Sequence, residues 1–305
     1  FLEAHDAARD LDVSFRIEGK PLGSGGALKN CADLLEDRFV LLNGDILMDL
    51  DLSDLVAFHD QARAMVTATA SEIDDPRHWG ILDIQKDGRT LGWQEKPSPE
   101  EAKSHWGNVG AWAMSKGILD YIPEDRFVSL EHETFAVLFE KELPFFGYRF
   151  NGYWKDIGTI DKYVQANRDL LAGAIASAAP AGARRAPGVW VASDAEVSED
   201  ATLEPPVAIG AGARVGPGAE IHGPAIVGPG TCIGAKASIA SSIIWPNANV
   251  GDRARMRDSV VGEAELGADC VLGEGCAVAS NSKIESGTAI PPGARLGPGS
   301  RLGHL

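Results

Sequence analysis

No run of 18 apolar residues occurs in the 305-residue chain, so the sequence holds no candidate membrane-spanning helix. No secretory signal opens it either. Basic residues are scarce: 28 Lys and Arg stand against 44 Asp and Glu, a net charge of -16. A nucleic-acid surface needs clustered cations to meet phosphate, which argues against that class. The acidity itself mainly favours solubility. The four cysteines (Cys31, Cys232, Cys270, Cys276) are too few and too scattered for a disulfide framework. Free, half-buried thiols in a reducing cytoplasm are expected instead. Neither a strand–GxGxxG–helix context nor a GK[ST] is present, so the Rossmann dinucleotide fingerprint and the P-loop are both absent.

What is there fills two domains. Up to Ala172, strand and helix patterns alternate, which implies an α/β sheet with helices on its faces. Strands are expected at 13–17, 39–42, 65–70, 80–84 and 90–94, and helices at 27–35, 55–63, 131–141 and 160–171. Asp87-Gly88 suits a hairpin turn between 84 and 90. From Gly173 to Gly188 the composition turns to Ala, Gly, Pro and Arg without period, as in a linker. The domains are therefore expected at 1–172 and 189–305.

Beyond the linker an aliphatic recurs every sixth residue from Val191 to Ile239, with Trp245 next in phase. Small residues such as Ala213, Ala219 and Ala237 precede it by two positions. The register slips around Val250 and Met256 and resumes from Val260 to Leu302. This is the pattern of a parallel β-helix of hexapeptides, about six coils at three hexads per coil. Gly210, Gly216, Gly228 and Gly234 follow the aliphatics, where a tight bend leaves no room for a side chain. Trp245 is large for the interior and is expected at a bulge.

In the first domain, Phe39-Val40-Leu41-Leu42-Asn43-Gly44-Asp45 reads as a buried strand of a parallel sheet ending in a carboxylate. Ligands bind beyond the carboxyl ends of such strands. Asp45 alone suits a turn or cap as well as a metal. Pro21-Leu22-Gly23-Ser24-Gly25-Gly26 enters a helix, where backbone N–H groups can approach a ligand; a flexible loop reads equally well. Trp93-Gln94-Glu95-Lys96-Pro97 ends a strand, because Pro97 keeps Lys96 out of helical geometry. Its Glu and Lys suit a sugar hydroxyl and a phosphate, or a solvated ion pair. Tyr153–Thr159 places a second strand-end carboxylate, Asp156, before a helix that Thr159 would cap, so a two-Asp metal site can be considered.

Taken in order, PLGSGGALKN, LLNGD, WQEKP, GNVGAW and YWKDIGT followed by hexapeptides resemble the sugar-1-phosphate nucleotidylyltransferases, above all their mannose-1-phosphate guanylyltransferase branch. The resemblance implies a Rossmann-like nucleotidyltransferase sheet followed by a left-handed parallel β-helix. It implies attack of a sugar 1-phosphate on the α-phosphorus of a nucleoside triphosphate, with GTP and mannose 1-phosphate favoured. Asp45 and Asp156 would hold Mg²⁺, and Lys96 the sugar phosphate. Leu22, Gly23 and Gly26 would contact base and ribose, Gly44 would admit the nucleotide, and Glu95 and Asn108 would hold the sugar. Ser24-Gly25 replaces the family's Thr-Ala and is expected to loosen the loop. Homo-oligomers through the β-helix are implied as well, with no membrane or nucleic-acid partner.

The sequence departs from the family at its front. It opens on Phe1, Phe1–Ala8 reads as the tail of a helix, and no Gly-rich loop with an Arg precedes it. The 305-residue chain alone is therefore expected to leave strand edges unpaired and to show no measurable pyrophosphorylase activity. Thymidylyl, uridylyl and adenylyl transfer share these motifs and remain open. So does a regulatory, non-catalytic relative. Acyl transfer, which would need a histidine between coils, could fall only to His222 or His304.

Overall fold

The computed structural model describes residues 11–180 and 182–303, so the helix tail read in Phe1–Ala8 lies outside the described residues. Two compact units emerge. One joins Phe1–Ile46 with Leu50–Gly152, the other Leu47–Asp49 with Tyr153–Leu305. Among the described residues no helix is long and apolar enough to cross a membrane.

The elements up to the β-helix are α1 (Gly23–Asn30), β1 (Arg38–Leu42), β2 (Ile46–Met48), α2 (Leu52–Ala62), β3 (Val66–Glu72), β4 (Gly80–Ile84), β5 (Thr90–Glu95), β6 (Trp106–Ser115), α3 (Phe135–Glu140), β7 (Phe145–Arg149), β8 (Trp154–Asp156) and α4 (Ile160–Leu171). A π-type turn, Leu130–Thr134, leads into α3. In the first unit β6 is the axis of the sheet. One of its edges carries β3 along its length. The other carries β4 near its start, Ile81 opposite Gly107, and β1 at its end, Leu42 opposite Ala111. β5 closes a hairpin on β4 through Gly88, which takes the positive φ expected of it (90°). Of these pairings only β3–β7 is parallel. Trp112, Phe135 and Phe145 are fully buried at the centre of the core.

Three expectations change here. Residues 13–17 form no strand: Val13, Phe15 and Ile17 alternate correctly but are exposed, and a strand needs a neighbouring ladder as well as a pattern. β1 lies antiparallel on β6 and half-exposed, rather than buried in a parallel set. The first helix starts at Gly23, not near Ala27, and stops at Asn30.

α2 buries one polar side chain, His59. Asp51 caps this helix, accepting from Ser53 N at 2.7 Å. The Ser115 hydroxyl donates to Ala64 O (2.9 Å), so it accepts from His59 Nε2 (3.1 Å); Nδ1 then accepts from the Thr67 hydroxyl (2.9 Å). This bonding needs the neutral ring. Burial holds the His59 pKa below its ordinary 6.5, against the opposing pull of Asp60. The sign follows from proton uptake. Above 6.5 neither state takes a proton, whereas below it the unfolded chain takes one that the folded chain refuses. Stability should therefore fall on acidification below that value, and His59→Gln should flatten this part of the curve. Urea midpoints on both sides of that pH measure it.

In the second unit β2 pairs with β8, and Thr159 caps α4 through its hydroxyl, which accepts from Lys162 N at 3.4 Å. The β-helix follows, with three sheets of eight, seven and six strands. Its first turn recruits part of the expected linker, for Ala183–Ala186 pairs antiparallel with Val189–Val191. Coil length varies. Ile209 lies under Val227, 18 residues on, but Val227 pairs with Ile244 after 17 and Val250 with Leu266 after 16. Leu266 to Ile284 restores 18.

The shortening keeps Trp245 out of the interior, as its size suggests, and corrects the place given to Val260. Ile244 and Val261 fill the core, not Trp245 and Val260. Trp245 is 43% exposed and meets Tyr163 edge-on at 6.4 Å, while Val260 faces outward, with Ile243, onto Val164 of α4. All four cysteines are free thiols. Cys270 and Cys276 occupy the small-residue positions, buried, with Sγ near the carbonyls of Glu285 (3.0 Å) and Pro291 (3.2 Å).

Candidate active site

β1 and β4 share one edge of β6 and part company between Gly107 and Ala111. At that place β6 bulges: its register with β3 shifts between Ala68 and Ala70, and Gly110 takes φ 83°. A Cβ on Gly110 would lie 2.9 Å from Asn43 Nδ2 and from Ile46 Cγ1, so only glycine lets the turn after β1 settle here. Asn43 N donates to Gly110 O at 2.9 Å, and Asn108 Oδ1 accepts from Gly110 N at 3.2 Å. The register carries the row across the sheet, from Gly107 opposite Ile81 to Gly80 opposite Glu95. Asn43–Asp45, Asn108 and Glu95–Lys96 therefore gather at one end of the first unit's sheet.

Asp45 is exposed and has no hydrogen bond or ion pair among the described residues. A Cβ on Gly44 would meet nothing within 4 Å, so the turn leaves open space. Glu95 Oε2 accepts from Trp93 Nε1 at 3.0 Å, which fixes its carboxylate, and its Oε1 lies 3.8 Å from Lys96 Nζ. Lys96 has φ 49°, a left-handed conformation uncommon for a residue with a side chain. Its N–H donates to Trp79 O at 3.0 Å, which helps hold that conformation. The backbone thus presents an exposed ammonium from a strained position at the sheet end, a place where strain often accompanies function.

The glycine segment docks against Arg126–Leu130 of the same unit. Gly25 N and Gly26 N both donate to Val128 O (2.9 and 3.3 Å), and Leu22 O accepts from Val128 N (2.8 Å). Cβ atoms on Gly23 or Gly26 would come within 2.8 Å of the backbone of this segment. Docking of α1 is thus reason enough for these glycines, and the Gly26 amide is already used. Ser24 is likewise no source of looseness. Its hydroxyl donates to Glu131 Oε2 (2.8 Å) and accepts from Leu130 N (2.9 Å), pinning the loop.

Asp156 ends β8 in the second unit. Its Oδ1 accepts from Gly158 N at 2.8 Å and its Oδ2 from Lys162 Nζ at 2.6 Å. Lys162, helped by the Gly158 amide and opposed by partial burial, holds its carboxyl below the ordinary 3.8. The neighbouring Lys155 is tied to Asp169 (2.6 Å), which also accepts from Tyr153 Oη and Gln165 Nε2, both at 2.8 Å. That network staples β8 onto α4. The signal for Lys162 in the sequence is a lysine in the first turn of a helix, where its charge is unfavourable.

Among the described residues no group of three or more His, Cys, Asp or Glu could cage a metal by itself. The hard carboxylates of Asp45 and Asp156 suit Mg²⁺, which is commonly held by one or two carboxylates plus substrate phosphates. His222 does not suit acyl transfer. Its Nδ1 lies 2.7 Å from Glu204 Oε2 and its Nε2 3.5 Å from Glu220 Oε2. Glu204 first, and Glu220 after it, raise its pKa, which favours a paired cation over a free base.

Comparison with known proteins gives the family of the chain. Residues 3–173 match the family model described as nucleotidyl transferase, and residues 186–292 the one described as GMPPB C-terminal domain. A mannose-1-phosphate guanylyltransferase of Mycobacterium tuberculosis is 34% identical over 180 residues, 58% of this chain and 50% of that protein. A UTP–glucose-1-phosphate uridylyltransferase of Synechocystis is 33% identical over 251 residues, 80% of this chain and 65% of its own length. The crystal structure of HddC from Yersinia pseudotuberculosis is 30% identical, with a TM-score of 0.43, covering 53% of this chain and 68% of that one. This chain thus spans between half and two thirds of the two curated relatives. With more than half its residues inside the first family model, the chain belongs to the nucleotidyl transferase family.

Proposed function

We propose that the protein transfers a nucleotidyl group from a nucleoside triphosphate to a sugar 1-phosphate, giving a nucleotide sugar and pyrophosphate, with GTP and mannose 1-phosphate as the favoured pair. The carrying observation is the gathering of Asn43–Asp45, Asn108 and Glu95–Lys96 at one end of the first unit's sheet. Lys96 holds the sugar phosphate as a point charge, and Glu95, fixed by Trp93, accepts from sugar hydroxyls. Asn108 turns its amide N–H₂ to the sugar, since its Oδ1 is taken by Gly110 N. Leu22, Gly23 and Gly26 border the base and ribose; of their N–H groups Gly26 donates to Val128 and Leu22 to Glu18, and Gly23 to neither. Gly44 leaves the nucleotide room. Asp45 and Asp156 are the carboxylates assigned to Mg²⁺, which when bound neutralises phosphate charge. Phosphoryl-type transfer asks for little beyond such positioning and neutralisation.

A second base is favoured by one observation. The uridylyltransferase of Synechocystis matches over 80% of this chain, so uridylyl transfer to glucose 1-phosphate is the alternative. Self-association through the β-helix and a reducing cytoplasmic setting belong to the same proposal. The test is pyrophosphate release by the full gene product with Mg²⁺, comparing GTP plus mannose 1-phosphate with UTP plus glucose 1-phosphate. Faster release with the first pair is expected. Faster release with the second shifts the assignment to uridylyl transfer, and no release with any nucleoside triphosphate and sugar 1-phosphate overturns it.

A further inference from the structure

We propose that Lys162 is a built-in competitor for the divalent cation at Asp156: its ammonium pairs with the carboxylate and has to leave for a cation to bind. This rests on the assignment of Asp156 as a metal ligand. Lys162 is the third residue of α4, where free backbone N–H groups favour anions and a lysine is unfavourable. Asp161 before it has the favoured sign; Lys162 does not. Its side chain turns back over the strand end and places Nζ 2.6 Å from Asp156 Oδ2.

The two oxygens of Asp156 are held differently. Oδ1 accepts from a backbone amide, Gly158 N, which is fixed by the turn into the helix. Oδ2 faces an ammonium on a flexible four-carbon stem whose side chain is 48% exposed. The other lysine at hand cannot take this part, because Lys155 is locked onto Asp169 beside Tyr153. Only Oδ2 can be released without moving backbone, and only by Lys162 swinging into solvent. The carboxylate is thus charge-balanced by Lys162, and a cation that takes Oδ2 displaces that ammonium. Cation affinity is set below that of a bare carboxylate by the strength of this exposed pair.

The test titrates Mn²⁺ alone into the protein, followed by electron paramagnetic resonance, for the parent, Lys162→Met, Lys162→Arg, Asp156→Asn and the Asp156→Asn/Lys162→Met double variant. Lys162→Met should bind Mn²⁺ about two- to fivefold more tightly, the range expected on removing a surface ion pair. Lys162→Arg, which restores the competitor, should bind like the parent. In the Asp156→Asn background, Lys162→Met should have no effect. If Asp156→Asn weakens binding but Lys162→Met does not tighten it, the competitor role fails while the ligand assignment stands. If Asp156→Asn leaves Mn²⁺ binding unchanged, the ligand assignment fails and the proposal with it.

Discussion

In the full gene product, Asp45→Asn is expected to lower kcat/KM for pyrophosphate release by about a hundredfold or more, the range seen when a fixed group that stabilises transition-state charge is removed. The melting temperature should not move. The Asp45 carboxylate is exposed and has no partner among the described residues, so its neutral isostere removes no internal bond. Asp156→Asn should lose activity to a similar extent but with a small loss of stability, up to about 1 kcal/mol, because Lys162 is left without its partner at the start of α4. Steady-state kinetics paired with thermal melts separates the two. Near-parental turnover in Asp45→Asn would remove the metal role from the turn after β1.

Gly228→Ala should be among the most damaging single changes in the β-helix. A Cβ there would sit 2.5 Å from Pro246 N and 2.6 Å from Trp245 C, backbone of the next coil that cannot turn aside. Overpacking of this kind costs about 1–3 kcal/mol. Gly212 offers the contrast. Its Cβ would meet nothing within 4 Å, but its φ of 64° is left-handed, so alanine there should cost about 1 kcal/mol through backbone strain alone. Each coil contacts mainly its neighbours, so strain at a middle coil weakens the coupling between the two halves of the stack. Urea unfolding should show Gly228→Ala shifted further than Gly212→Ala; equal shifts would mean that close stacking is not what selects glycine at the bends.

The β-helix was largely legible because depth is written into a period: an aliphatic every sixth residue points inward whatever surrounds it. The slip in that period is legible too, but not the residue at which it falls. Whether Ile244 or Trp245 turns inward depends on a corner one residue tighter, and both are hydrophobic. In the first unit, β6 carries the GNVGAW motif but no clear strand pattern. Two glycines interrupt it, and its partners come from distant parts of the chain. Residues 13–17 failed the opposite way, having the alternation of a strand without a ladder to join.

Candidate site residues were found as chemical types at strand ends. What escaped was their company: Trp93 under Glu95, Gly110 under Asn43, Lys162 on Asp156. Such partners are set by register and turn geometry, which a linear pattern does not encode. Glycines before a helix suit a ligand-binding or flexible loop, and the structure gives Gly23 and Gly26 a packing reason first.

The two cysteines at coil corners have a use as a clock. Cys270 and Cys276 are almost wholly shielded, and burial pushes the Cys270 thiol up, away from the reactive thiolate. An alkylating reagent can reach them only while the coils around them are open. Their labelling rate in native buffer would therefore count the spontaneous openings of the distal β-helix, with the less buried Cys31 and Cys232 as the faster reference within the same molecule.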